Sequence, residues 1–188
     1  MKLSILTLFL IIPFLSFSQT EVDVTGVLGI PFGSPKEKVN EVLIAKGAKK
    51  DLASKAFLYT GVSFGAYKNC MVIFSFINSK LYQALIMLPS DTEGTTLDRY
   101  EELNSELAKK YGKGETFSTF KYPYEKGDGH ELTAIKIGKA EYNTYWIKQQ
   151  GSLSTYITKD LYIFIKYQDR TLIKEVVKEE DSKNVSEY

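Results

Sequence analysis

The chain has 188 residues, with 24 Lys and Arg against 23 Asp and Glu, and 44% of its residues are apolar. Such a composition belongs to a folded chain of one or two small domains and excludes collagen-like, low-complexity and wholly disordered classes. The balanced charge gives no reason to expect nucleic acid, the single cysteine excludes an internal disulfide framework, and the single histidine leaves little for a zinc site or a histidine-based catalyst.

Residues 1–18 read MKLSILTLFLIIPFLSFS. One charge, Lys2, precedes an almost unbroken apolar run from Leu3 to Leu15, and Ser16 and Ser18 place small residues before a cut at Gln19. This is the three-part layout of a secretory signal peptide. The run is too short for the roughly 20 residues that span a bilayer, so no transmembrane anchor is expected. No cysteine stands near the cut to accept a lipid. The expected destination is therefore the periplasm or the exterior, with a mature chain whose positive and negative charges are equal once Lys2 is removed.

Beyond the cut, Val24–Leu28 has the character of a short strand. Ser34-Pro35-Lys36-Glu37 predicts a capping box with proline at the first helical position. Val39, Val42 and Leu43 continue at helical spacing, and Gly47 predicts the left-handed stop. Three runs rich in aromatic and branched residues then predict strands at Phe57–Phe64, Cys70–Ile77 and Leu81–Leu88, the last two joined by a tight turn at Asn78-Ser79. Cys70 lies in the second of these runs and is expected as a small core residue.

Asp91–Thr95 reads as a loop with Thr95 or Thr96 as the cap of a second helix. Leu97, Tyr100, Leu103, Leu107 and Tyr111 form its apolar stripe, and Gly112 its end. Lys113–Gly129 is expected to be a long loop. Strands are expected again at Leu132–Ile137, Tyr142–Lys148, Ser152–Thr158 and Leu161–Tyr167, and a charged, frayed tail from about 175 to 188. Helix, three strands, helix, four strands is an α+β pattern of two similar halves in tandem, 19–90 and 91–174, each a helix packed on a small antiparallel sheet.

The stretch Gly29-Ile30-Pro31-Phe32-Gly33-Ser34-Pro35-Lys36-Glu37-Lys38-Val39 resembles the helix-opening segment of exported bacterial domains of the SmpA/OmlA, or BamE-like, group. The tandem arrangement is similar to the β-lactamase inhibitor protein fold. The resemblance implies a non-catalytic module that binds another protein or an envelope component.

Motif chemistry points the same way. Asp128-Gly129-His130-Glu131 holds metal-ligand types, but three adjacent ligands without a second histidine or partner cysteine do not specify a site, and solvated loop charges are expected. There is no Gly-x-Ser-x-Gly elbow, no phosphate loop and no dinucleotide fingerprint. No catalytic residues, metal ligands or cofactor are assigned. Two alternatives remain beside a protein-binding module: a small-ligand binder for lipid or sugar, and a hydrolase working with acids alone.

Tyrosine is abundant, at 13 residues. Strand parity in the second half places Trp146, Ile157, Ile163 and Ile165 toward the helix. It places Tyr145, Tyr156, Tyr162 and Phe164 on the other face, as an aromatic row that could bind a partner or be covered by the first half. Tyrosine suits a surface that is intermittently covered, since its ring buries area while its hydroxyl stays wet.

If the targeting segment is cleaved, protein recovered from the native host begins at or near Gln19. Amino-terminal sequencing checks this, and a chain retaining Met1 or resisting alkaline extraction from membranes would overturn it.

Overall fold

The computed structural model describes residues 22–89 and 92–186; the expected targeting segment at 1–18 lies outside them. The elements, in chain order, are β1 (Gly26–Val27), β2 (Ile30–Pro31), α1 (Lys36–Ala45), β3 (Lys49–Lys50), β4 (Phe57–Phe64), β5 (Tyr67–Ile77) and β6 (Lys80–Met87). A 3-10 turn at Glu93–Thr95 leads into α2 (Thr96–Tyr111), followed by β7 (Glu115–Phe120), α3 (Glu131–Lys136), β8 (Ala140–Ile147), β9 (Gly151–Ile157), β10 (Ile163–Asp169) and α4 (Leu172–Ser186).

The expectation of two small sheets is corrected. β3 to β10 form one antiparallel eight-stranded sheet in the order β3-β4-β5-β6-β10-β9-β8-β7. Each of α1 and α2 is followed by a four-strand meander, and the meanders meet at their last strands. β6 and β10 pair from Phe164↔Met87 to Gln168↔Gln83, with Ile165 opposite Ile86 and both fully buried. Two separate sheets would each have buried an unpaired strand edge; one shared ladder satisfies those amides and carbonyls.

α1 and α2 pack on one face. Val39 and Leu43 of α1 and Tyr100, Leu103, Leu107 and Tyr111 of α2 share a single core with Tyr59, Val72, Ile86, Ile165 and Trp146 of the sheet. A buried polar network pins α2 over the second meander. Thr144 Oγ1 lies 2.8 Å from the Tyr100 hydroxyl and accepts from Asn104 Nδ2 at 3.1 Å, while Asn104 Oδ1 accepts from Thr155 Oγ1 at 2.6 Å. Every member is paired, so the burial carries no unsatisfied penalty. At the end of α2 the Trp146 Nε1–H donates to the Gly112 carbonyl at 2.7 Å. A side chain at Gly114 would stand 2.6 Å from the Trp146 ring, so only glycine lets the chain turn there into β7.

Several local expectations hold. Asn78 and Ser79 adopt φ of 48° and 62°, the two-residue turn whose twist suits a hairpin, and Gly47 takes φ 79° after α1. Others do not. The Ser34–Glu37 capping box is not formed: Pro35 is the cap residue without a side-chain bond. Ser34 instead offers its carbonyl to the Leu81 N–H at 2.9 Å, tying the helix entry to β6. The strand expected at Leu132–Ile137 is α3, with Ala134 and Ile135 buried, because a short apolar run fits either period. The loop expected over Lys113–Gly129 contains β7.

The segment expected as a frayed tail is helical through Ser186. Asp169 Oδ1 accepts from the N–H groups of Thr171 and Leu172 at 2.8 and 2.7 Å, which sets the turn into α4. α4 then packs on β10, β6 and β5. It does so on the face opposite α1 and α2: Leu172, Ile77 and Leu58 are buried, yet none belongs to the core on the helix side.

Leu107 is buried in the α2 stripe and Glu102 is exposed on the same helix. Leu107→Ala should lower stability by about 2–5 kcal/mol. Glu102→Ala should change it by less than about 0.5 kcal/mol. Denaturant unfolding of the two variants checks the difference, and equal losses would show that the helix is docked otherwise.

Candidate binding surface

Alternation sorts the second meander as its parity predicts. Trp146, Ile157, Ile163 and Ile165 are buried on the helix side. On the other side Tyr156 and Phe164 are cross-strand partners, and their rings stack at 5.5 Å with 12° between planes. Partial burial pushes the Tyr156 phenol above its ordinary range. Tyr145 lies two residues along β8 from Asn143, the partner of Tyr156, and meets Phe117 of β7 edge-on at 5.9 Å. Tyr162 sits just before β10, where its N–H donates to Thr158 Oγ1 at 3.1 Å. Tyr145, Tyr156 and Phe164 therefore share one face, while Tyr162 stands beyond the end of β10, in a concavity with Leu88, Pro89, Thr96 and Arg99.

This face is not covered by the first meander, which lies beside it in the same sheet. Phe117, Tyr145 and Ile147 are 53%, 39% and 65% exposed. Phe117 and Ile147 are additions to the expected row. Ile147 shares the parity of Tyr145 on its own strand, so its position was available from alternation. Phe117 lies in the stretch whose weak apolar signal reads as loop. The first meander fares differently on this side: Met71, Ile73, Leu85 and Met87 are half-buried, in the region that α4 crosses.

A second concavity opens on the helix side. Gly61 and Asn69 take φ of 72° and 58°, and the β4–β5 pairing slips between Tyr59 and Val62 and again before Phe64. Such irregularities bend a hairpin. The bent tip brings Phe64 and Tyr67 to α2, where the Arg99 guanidinium lies 5.7 Å from the Tyr67 ring and Phe64 meets Tyr167 at 6.2 Å. The cleft between tip and helix has a volume of about 610 Å³ and is lined by Leu103, Leu107, Tyr111 and Tyr167, with Glu102, Glu106 and Lys110 among its charged residues. Burial drives the Tyr167 phenol well above its ordinary range, with the neighbouring Tyr111 adding to the effect.

The reactive residue types are engaged elsewhere. Cys70 is fully buried, and burial pushes its thiol upward, away from the thiolate form that reacts. The Asp128 carboxylate accepts from the Glu125 and His130 N–H groups at 2.9 and 2.7 Å, which holds it below the usual carboxylate range. Glu131 Oε1 accepts from the Gly127 N–H at 2.7 Å. The Asp-Gly-His-Glu stretch thus orders its own loop. Among the described residues no group of three or more His, Cys, Asp or Glu side chains is placed to hold a metal ion. No family model, no curated protein and no solved structure matches the chain significantly.

Proposed function

We propose that the protein is an exported, non-catalytic binding module that captures another protein on the sheet face carrying Tyr145, Tyr156 and Phe164. The observation that carries this reading is the asymmetry of that face. α4 crosses it at β10, β6 and β5, while Phe117, Tyr145 and Ile147 on β7 and β8 stay exposed beside the stacked Tyr156–Phe164 pair. A cluster of exposed apolar side chains marks an interaction surface, and tyrosine-rich patches supply contact area at small entropic cost. In the same reading the two runs of helix plus four strands are equivalent units, as the resemblance to the SmpA/OmlA group and the β-lactamase inhibitor protein fold suggests. The partner then rests on the half of the face that α4 does not cover.

A small-ligand module is the second reading, favoured by the cleft between α2 and the β4–β5 tip. Its volume of about 610 Å³ falls in the range of about 300–1,000 Å³ common for ligand pockets, and its walls are largely aromatic and aliphatic. The two readings use opposite faces, so they separate cleanly.

Cross-linking in intact cells with the wild type, followed by quantitative capture with variants, tests the first. Tyr145→Ala removes contact area without opening a core cavity. It should weaken capture by about 1 kcal/mol or more, roughly fivefold, with an almost unchanged melting temperature. Ala66→Trp, which fills the mouth of the helix-side cleft, should leave capture intact. Loss of capture with Ala66→Trp and not with Tyr145→Ala would transfer the function to the cleft.

A further inference from the structure

The two edges of the eight-stranded sheet are unlike. β3 is two residues long and both are exposed lysines, a protected edge. β7 is six residues long, reads Glu-Thr-Phe-Ser-Thr-Phe and contains neither lysine nor proline. Among the described residues, no turn or loop backbone hydrogen bond reaches 115–120.

Its hydrogen-bonding direction follows from the register. The Lys121 N–H donates to the Lys139 carbonyl at 2.8 Å, one step past the ladder pair Phe120↔Ala140. Antiparallel ladders alternate, so Glu115, Phe117 and Thr119 also turn their N–H and C=O groups toward β8. Thr116, Ser118 and Phe120 therefore turn theirs away from the sheet. The other side of β8 agrees: Lys148 donates to the Gly151 carbonyl, which assigns the even-numbered residues of β8 to β9.

From this edge we propose that the chain forms a two-fold symmetric dimer by antiparallel pairing of β7 with β7 of a second copy, Ser118 lying on the axis. A two-fold axis perpendicular to the sheet keeps like faces together, so outward-facing residues pair only with outward-facing ones. Ser118 meets Ser118 of the second copy, and Thr116 meets its Phe120. All three outward N–H and C=O pairs on each strand find partners.

The same register matches the side chains. Phe117 comes opposite Thr119 of the second copy, and Glu115 opposite its Lys121. All four are exposed on the open face. The pairing thus places two Glu–Lys pairs at its ends, and no like charges face each other directly. The exposed aromatic patches of the two copies become neighbours on one continuous face. This proposal does not depend on what that face captures.

Sedimentation of the purified protein over a dilution series from about 1 µM to 1 mM tests it. A reversible monomer–dimer equilibrium is expected. Ser118→Pro removes an N–H that the monomer does not use, so it should weaken dimerisation at least tenfold while the thermal unfolding of the monomer stays nearly unchanged. Glu115→Lys alone should weaken the dimer, and the exchange Glu115→Lys with Lys121→Glu should restore it to within a fewfold of wild type. A protein that stays monomeric throughout, or a dimer indifferent to Ser118→Pro, would overturn the proposal. Failure of the exchanged pair to restore association overturns the register.

Discussion

The pairing of β6 with β10 is the constraint from which the rest of the architecture follows. Each meander ends on a strand whose inward residues are apolar, with Ile86 and Leu88 on β6 and its end, and Ile163, Ile165 and Tyr167 on β10. Left apart, each last strand would expose a ladder of amides beside buried aliphatic side chains. Joining them removes both edges at once and aligns the faces of the two meanders. One consequence is a shared helix-side core that includes α1 and α2 together. Another is that, among the described residues, the edges of the sheet are β3 and β7, the strands farthest from the seam.

The seam also creates the need that α4 meets. A continuous sheet with helices on one side presents a long second face. On the first meander and β10 that face carries Met71, Ile73, Leu85, Met87 and Phe164. Such a surface is too apolar to face water over its whole length. α4 supplies Leu172 against it, starting one turn beyond β10 where Asp169 fixes the chain direction. The cover is partial. Where it stops, the surface changes from thioether and aliphatic side chains to tyrosine and phenylalanine, residues that tolerate water on one side and a partner on the other.

How much of this could be read from the sequence differs by kind of signal. Where hydrophobic period and turn chemistry agreed, the elements were legible: β4 has the expected bounds, Asn78-Ser79 makes the expected turn, and the α2 stripe buries Tyr100, Leu103, Leu107 and Tyr111. The orientation of Tyr145, Tyr156 and Phe164 was legible from alternation alone. Residues governed by long-range contacts were not. Glu115–Phe120 alternates threonine and serine with phenylalanine on an exposed edge, which weakens the apolar signal that marks a strand. Leu132, Ala134 and Ile135 suit strand and helix equally until the packing of α3 on β8 decides. Ser34 and Glu37 have the residue types of a capping box, but the Leu81 amide claims the Ser34 carbonyl and fixes the approach to α1 differently. The charged carboxy terminus looked unable to fold because its apolar residues are few. Its helix needs only Leu172 and a few neighbours, since the surface that receives them is already built.

The contrast between the sheet's two ends is then more than an accident of length. β3 is formed by two lysines, and Lys50 lies 4.3 Å from the centre of the Phe57 ring. Charge there protects the edge at the first meander's end of the sheet, and α4 packs on β5 and β6 of the same meander. At the other end neither device is present. β7 is longer, its outward amides are unopposed among the described residues, and the exposed rings of Phe117 on β7 and Tyr145 on β8 meet beside it. A fold selected only for monomeric solubility would be expected to blunt this end as it blunts the first. That one chain protects one edge and one half-face, and leaves open the edge and half-face that adjoin each other, is what favours the β7–β8 end of the sheet for the proposed binding. Edge and face are contiguous there, so the association of two copies and the capture of a partner would extend a single surface without competing for it.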